Sequence, residues 1–228
     1  MSTPDVQLGI PAAAQLAAEE APAEQFGTRT NQNEATEFGM WVFLATELMF
    51  FGALLLGYAY GRHLDPAGFA EASRHTDLVI GTANTAILLS SALTMSLAIR
   101  AAQRLERGAL MSFLAASALL GLLFLALKGY EYHDDIDEGL VPWADFRITG
   151  VHRGAAALFY FLYYALTALH ALHLTIAIIV VLVYLVRLRG ATVAPYRQQI
   201  TVTALYWHFV DGMWVLLYTL IYVASPRS

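Results

Sequence analysis

The sequence predicts an all-α membrane protein, a bundle of five transmembrane helices preceded by a mobile N-terminal tail. Of its 228 residues, 58% are hydrophobic and 14% are charged, whereas a soluble domain usually carries about 25% charged residues. Five apolar stretches are each close to the roughly 20 residues that a helix needs to cross the hydrocarbon core. They lack the short alternating segments of a membrane β-barrel, so a helical bundle is the better interpretation.

The tail is the first element along the chain. Residues 1–36 are rich in Ala, Pro and Glu and contain no apolar run long enough to span a membrane, which predicts a flexible cytoplasmic segment. No basic region leads into an early apolar core, so a secretory signal is not indicated. The transmembrane domain then covers residues 37–228. Its predicted spans are about 38–60, 78–99, 110–127, 156–186 and 202–223.

The placement of arginine predicts the orientation of the five spans. Cytoplasmic loops of membrane proteins carry an excess of Lys and Arg. Basic residues are densest in the two short loops that follow the second and fourth spans, and these loops lie on the same side as the tail. We therefore expect a cytoplasmic N-terminus and a C-terminus outside the cell. The arginines concerned are Arg100, Arg104, Arg107, Arg187, Arg189 and Arg197.

Composition excludes several classes of site and partner. The chain has no cysteine, which removes disulfides, thiolate metal sites and iron–sulfur clusters. The net charge is −5 and no Lys/Arg-rich run is present, so nucleic acid is not an expected partner. The acidic stretch YEYHDDIDEG after the third span is best interpreted as a solvated loop, with calcium binding or a basic docking partner as alternatives. The order of its carboxylates does not match an EF-hand.

Five ionisable residues inside the spans are the candidate functional groups. A charged carboxylate at mid-helix costs about 2.5–3.5 kcal/mol on insertion scales, so such side chains normally face protein and find partners. At about 1.5 Å per residue, the first, fourth and fifth spans bring these groups to comparable depths, where they could form one buried polar network. The five are Glu47, His170, His173, His208 and Asp211.

Three interpretations of that network stay open from the residues alone. His170 and His173 have a spacing that permits a haem or metal site with His208 as a third ligand, although only one Glu lies within a span for a di-metal carboxylate site. Intramembrane acids and histidines also relay protons in transporters. The favoured interpretation is structural, in which the side chains hydrogen-bond across helices and fix the bundle for docking to a partner.

Five segments carry a further signal through their order and spacing. They are GMWVFLATELMFFGALLLGY (39–58), ANTAILLSSALTMSLA (83–98), LKGYEYHDDIDEG (127–139), FYFLYYALTALHALHL (159–174) and LYWHFVDGMWVLLY (205–218). Over about residues 38–224 the chain resembles subunit III of the haem-copper respiratory oxidases. The resemblance is to the short five-helix bacterial form, which lacks the two leading helices of the longer form.

This resemblance implies a non-catalytic component of an oxidoreductase complex in the bacterial inner membrane. Such a subunit binds no haem or copper of its own. It packs mainly against subunit I, which carries the haems and copper, and it also meets subunit II and other subunits. It holds phospholipid and supports proton uptake into subunit I. Relatives accompany cytochrome c oxidases, quinol oxidases and nitric oxide reductases, so the electron donor stays open. A stand-alone b-type membrane cytochrome or a proton-coupled transporter is the alternative.

The resemblance also assigns individual positions, none of them a catalytic residue or a metal ligand. Glu131 matches the glutamate that closes the third helix of the family, and we expect it at the outer helix end. The other matched positions are the buried glutamate (Glu47), the paired histidines (His170 and His173) and the WHFVD pair (His208 and Asp211).

Overall fold

The computed structural model describes residues 29–74, 76–143 and 146–223. Six α-helices account for most of these ranges, and no strand occurs within them. A 3₁₀ turn (Ala194–Tyr196) precedes the last helix, and a π-helical turn (Thr219–Val223) continues it. The helices are α1 (Arg29–Leu64), α2 (Pro66–Ser73), α3 (Leu78–Gln103), α4 (Arg107–Asp137), α5 (Arg153–Arg187) and α6 (Arg197–Tyr218).

Five of these helices confirm the predicted fold class. In the described part of the chain, α1, α3, α4, α5 and α6 with its flanking turns are long and apolar enough to cross a membrane. Each contains one of the predicted spans. All except α3 begin several residues before the apolar stretch, because polar residues continue a helix until a cap, Gly or Pro ends it.

The start of α1 differs from the predicted domain boundary. Residues 29–36, which were expected in the flexible tail, belong to this helix. No Gly or Pro lies between Arg29 and Phe38, so nothing in that stretch breaks the helix. The tail prediction for residues 1–28 lies outside the described residues.

Two aspartates define helix starts on one side of the bundle. The Oδ1 atom of Asp65 accepts a hydrogen bond from the Gly68 amide at 3.0 Å, and Pro66 occupies the first position of α2. Asp77 caps α3 in the same way, accepting from two amides of the first turn at 2.7 and 3.2 Å. Both caps use the side-chain oxygen to satisfy amides that have no partner inside the helix.

The core lies where α3, α4, α5 and α6 meet, with α1 against α5 and α6 at one edge. Gly121 of α4 marks a close approach of α4, α5 and α6, because a Cβ atom there would lie 3.1 Å from the Ile178 side chain and 3.4 Å from Trp207. Small residues let membrane helices approach in this way. None of the described residues covers the outer face of α1, and Trp41 and Met49 are exposed on it. That face is available to lipid or to another subunit.

Candidate functional site: buried polar contacts between the helices

Glu47 of α1 and His173 of α5 form a direct contact across the edge of the bundle. Glu47 Oε2 and His173 Nε2 are 2.8 Å apart, and the side chains are 18% and 11% exposed. His173 Nδ1 lies 2.8 Å from the backbone carbonyl oxygen of Leu169. Both nitrogens of the imidazole are therefore held, Nε2 by Glu47 of α1 and Nδ1 by its own helix α5.

Counting donors shows how many protons the Glu47–His173 pair holds. The Leu169 carbonyl can only accept, so His173 Nδ1 carries a hydrogen and donates it. If the imidazole is neutral, its Nε2 accepts, and Glu47 must be the protonated donor. If Glu47 is a carboxylate, Nε2 must also carry hydrogen. In either case one proton lies between the two side chains and the pair as a whole is neutral, which suits a membrane interior.

This pair lies in an apolar groove. The groove has a volume of about 420 Å³ and opens between α1, α5 and α6. At its wall the Tyr206 hydroxyl donates to the His173 carbonyl oxygen at 3.2 Å. Outside the groove, the Phe51 ring packs 5.3 Å from the imidazole. Apart from Glu47 and His173, the lining residues are Met40, Phe43, Ile176, Val180, Thr203 and Tyr206.

His170 is directed elsewhere, although it lies one turn from His173. It is buried with its ring 5.4 Å from Phe124 and 5.1 Å from Trp214, so it packs among α4 and α6. Neither of its ring nitrogens has a hydrogen-bond partner among the described residues. The two histidines of the HxxH pattern thus face different neighbours. In the described ranges no group of three His, Asp or Glu side chains has an arrangement that could hold a metal.

His208 and Asp211 of α6 each face α3. His208 Nε2 lies 3.3 Å from Ser96 Oγ, and the Asp211 carboxyl interacts with the hydroxyl of Ser91. Neither Asp211 oxygen makes a hydrogen bond of ordinary geometry to a described residue. Ser91 instead accepts from the Trp207 indole at 3.1 Å. The five intramembrane residues therefore take part in separate contacts. Glu47 and His173 are the two of the five that are in direct contact with each other.

Sequence reasoning missed a second buried group, which lies near the C-terminal end of α4. Lys128 Nζ is 3.0 Å from Glu131 Oε2 and donates to the Tyr163 and Tyr222 hydroxyls at 2.9 and 2.7 Å. Tyr222 in turn donates to Glu131 Oε1 at 2.5 Å. We refer to Lys128, Glu131, Asp135, Tyr163 and Tyr222 as the α4 cluster.

Glu131 and Asp135 are buried, at 3% and 6% exposed, rather than at the surface, where they were expected. Asp137 and Glu138, at the end of the acidic stretch, are exposed as expected. The helix α4 continues to Asp137, and Glu131 and Asp135 lie on its face toward Tyr163. Lys128, Glu131 and Asp135 are spaced by three and four residues, so they share one face of the helix. That spacing is the signal in the sequence that could have revealed the cluster.

A further ion pair lies outside the spans. His152, which precedes α5, contacts Asp65, the cap of α2, with 2.7 Å between Nδ1 and Oδ2. The Gly68 amide and then His152 lower the pKa of Asp65. The hydrogen bond and charge of Asp65 raise the pKa of His152. Both changes favour the charged forms that hold the two helix starts together.

Comparison with known proteins adds to this geometry. The profile of the family described as "Cytochrome c oxidase subunit III" matches residues 19–225. The chain belongs to this family. It is 28% identical to the cytochrome bo(3) ubiquinol oxidase subunit 3 of Pseudomonas aeruginosa, over 82% of this chain and 84% of that protein. It is 24% identical to a probable quinol oxidase subunit 3 of Staphylococcus haemolyticus, over 86% of this chain and 92% of the relative.

Membership of the subunit III family confirms the resemblance seen in the sequence. Members of this family are non-catalytic subunits of multi-subunit oxidase complexes. Together with the five helices that can span a membrane, this makes the chain a multi-pass membrane protein and a subunit III of a haem-copper oxidase.

Proposed function

We propose that this subunit III stabilises the catalytic subunit I of its complex, holds phospholipid and supports proton uptake. Subunit I is its main contact and carries the haems and copper, while subunit II and other subunits complete the assembly. The relatives named as ubiquinol and quinol oxidase subunits favour quinol as the electron donor. The arginine-rich loops support a cytoplasmic N-terminus in a bacterial inner membrane.

The observation that carries this proposal is the Glu47–His173 pair in its groove. The pair holds one proton, shared between two side chains, beside a groove that opens between α1, α5 and α6. The apolar walls of the groove suit the acyl chain of a phospholipid, whose headgroup can then lie near the membrane surface. Neither feature requires a metal or a reactive centre in this chain, so a supporting role in proton supply fits the geometry.

Replacement of Glu47 by Gln tests the role in proton supply. The Gln amide can donate to His173 Nε2 and keep the contact, but it has no proton to exchange. We expect normal assembly, largely intact oxygen reduction in the first turnovers, and then inactivation several-fold faster than in wild type. Oxygen consumption by the purified complex, followed over many turnovers, measures both quantities.

Glu34→Gln is the matched control, because Glu34 is an exposed residue near the start of the same helix. It should leave both the initial rate and the turnover lifetime unchanged. Immediate and complete loss of activity in an assembled Glu47→Gln complex would contradict a non-catalytic role. If the assembled Glu47→Gln complex had the same turnover lifetime as the Glu34→Gln control, this would contradict the proposed role in proton supply.

A further inference from the structure

The hydrogen bonds around Tyr163 require more donors than the phenol supplies. Its hydroxyl lies 2.8 Å from Glu131 Oε1 and 3.2 Å from Asp135 Oδ2, and it accepts a hydrogen bond from Lys128. A tyrosine hydroxyl has one hydrogen to donate, and an ionised carboxylate can only accept. Two ionised carboxylates therefore cannot both be hydrogen-bonded to this oxygen, and one carboxyl must itself be the donor.

Of the two carboxyls, Glu131 is the one whose contacts favour the ionised form. It lies 3.0 Å from the Lys128 ammonium and accepts the short bond from Tyr222. Asp135 makes no ion pair with Lys128 within 4 Å among the described contacts. Its distance to the Tyr163 hydroxyl is also longer than that of Glu131. Hydrogen bonds to the charged form stabilise it, so the proton belongs on Asp135.

Charge balance leads to the same assignment. With Asp135 ionised, the buried α4 cluster has two carboxylates and one ammonium, a net charge of −1. With Asp135 protonated, the Lys128–Glu131 pair is balanced and the cluster is neutral. An uncompensated charge in a buried site is strongly unfavourable. Glu138 at the end of α4 adds a further negative charge that acts on Asp135.

We propose that the α4 cluster is a proton-binding site, with the proton held as the carboxylic acid of Asp135 and donated to the Tyr163 hydroxyl. Binding converts the Asp135 carboxylate and one proton from water into the neutral acid, and release reverses this step. Asp135 lies two residues before the end of α4, beside the exposed Asp137 and Glu138. The site therefore exchanges with the aqueous face at that end of the helix.

Tyr164 offers a hydrogen-bond donor to the ionised form of Asp135. Its hydroxyl is buried and has no hydrogen-bond partner among the described residues, yet it interacts with Asp135. When Asp135 loses its proton, the Tyr164 hydroxyl is the donor that can replace it. Because both states can be satisfied, the proton is exchangeable.

Infrared spectroscopy of the intact complex tests this site. The difference spectrum between wild type and Asp135→Asn should contain the C=O stretch of a protonated carboxylic acid, shifted in heavy water and lost as the pH is raised. Asn resembles the protonated side chain in shape and neutrality, so this variant should fold. Asp134→Asn, a partly exposed neighbour on α4, is the control and should leave the band intact.

Two further variants separate a proton site from a structural contact. Glu131→Gln removes the anion that balances Lys128, so Asp135 should ionise and the band should disappear although Asp135 is present. Tyr164→Phe removes the replacing donor, so the band should persist to higher pH than in wild type. A difference spectrum without a carboxylic acid band, or a band unchanged in Glu131→Gln, would overturn the proposal.

This proposal rests on the proposed function in one respect. The proposed orientation places the end of α4 outside, and it therefore decides on which side of the membrane the proton exchanges. The infrared bands report on the residues of the α4 cluster and not on the turnover lifetime of Glu47→Gln. Failure of the proton site would thus leave the proposed function in place, and the reverse also holds.

Discussion

The Asp65–His152 contact joins two helix starts outside the membrane-spanning segments. One Asp65 oxygen caps α2 through Gly68, and the other meets His152 at 2.7 Å. Gly68 also lies against α5, where a Cβ atom would be 2.6 Å from that of Ala155. The charged pair therefore holds α2 in a position that close packing already defines.

The stability that this pair provides should depend on pH. The pKa of His152 is raised, so its contribution is complete below about 6.5, the unfolded value, and is lost as the pH rises through the folded value. The pKa of Asp65 is lowered, so its contribution is complete above about 3.9 and is lost as the pH falls through the folded value. The contact is therefore strongest between these two limits.

Asp65→Asn isolates this effect, because Asn caps a helix as well as Asp does but carries no charge. We expect the unfolding temperature of the complex to be higher for wild type than for the variant at mildly acidic pH. The difference should shrink as the pH rises above about 6.5. Thermal unfolding in detergent at a series of pH values measures it, and a difference that stays constant across that series would contradict the ion-pair account.

At the scale of elements, α4 shows what the sequence could and could not predict. Its apolar middle predicted a span, since about 20 apolar residues suffice to cross a bilayer. Its polar C-terminal turns were interpreted as a loop, because the pattern KGYEYHDDID has the composition of one. The burial of Lys128 and Glu131 depends on Tyr163 and Tyr222, which come from α5 and the turn after α6. Contacts between distant segments of this kind are not visible in local composition.

Gly121 tests the packing of α4 against its neighbours. Val at this position places a Cβ atom 3.1 Å from the Ile178 side chain, and overpacking of this kind costs about 1–3 kcal/mol. We expect Gly121→Val to lower the unfolding temperature and weaken assembly. Gly129→Val is the control on the same helix, since a Cβ atom there has no neighbour within 4 Å. Equal unfolding temperatures for the two variants would contradict the close approach of α4, α5 and α6.

For the whole molecule, hydropathy and motif order were sufficient to predict the five-helix architecture and the family. Glu47 and His173 were also predicted to lie at similar depths in the membrane, and the structure places them in contact. Their depth does not determine which helix each polar group faces. His170 and His173 are three residues apart, but one packs on Phe124 and Trp214 while the other meets α1. Helix rotation and neighbour choice come from packing, which spacing alone does not specify.

The outer face of α1 and the groove beside it are the surfaces that this molecule offers to the other parts of its complex. A non-catalytic subunit III should be bound to a haem-copper subunit and should carry no haem itself. Purification of the tagged full chain in mild detergent, with absorption spectroscopy and mass spectrometry of the product, tests this most directly. We predict co-purification with a larger haem-containing subunit, and no haem Soret band once this chain is separated from it. A chain that purifies alone, or that retains stoichiometric haem after separation, would contradict the claim.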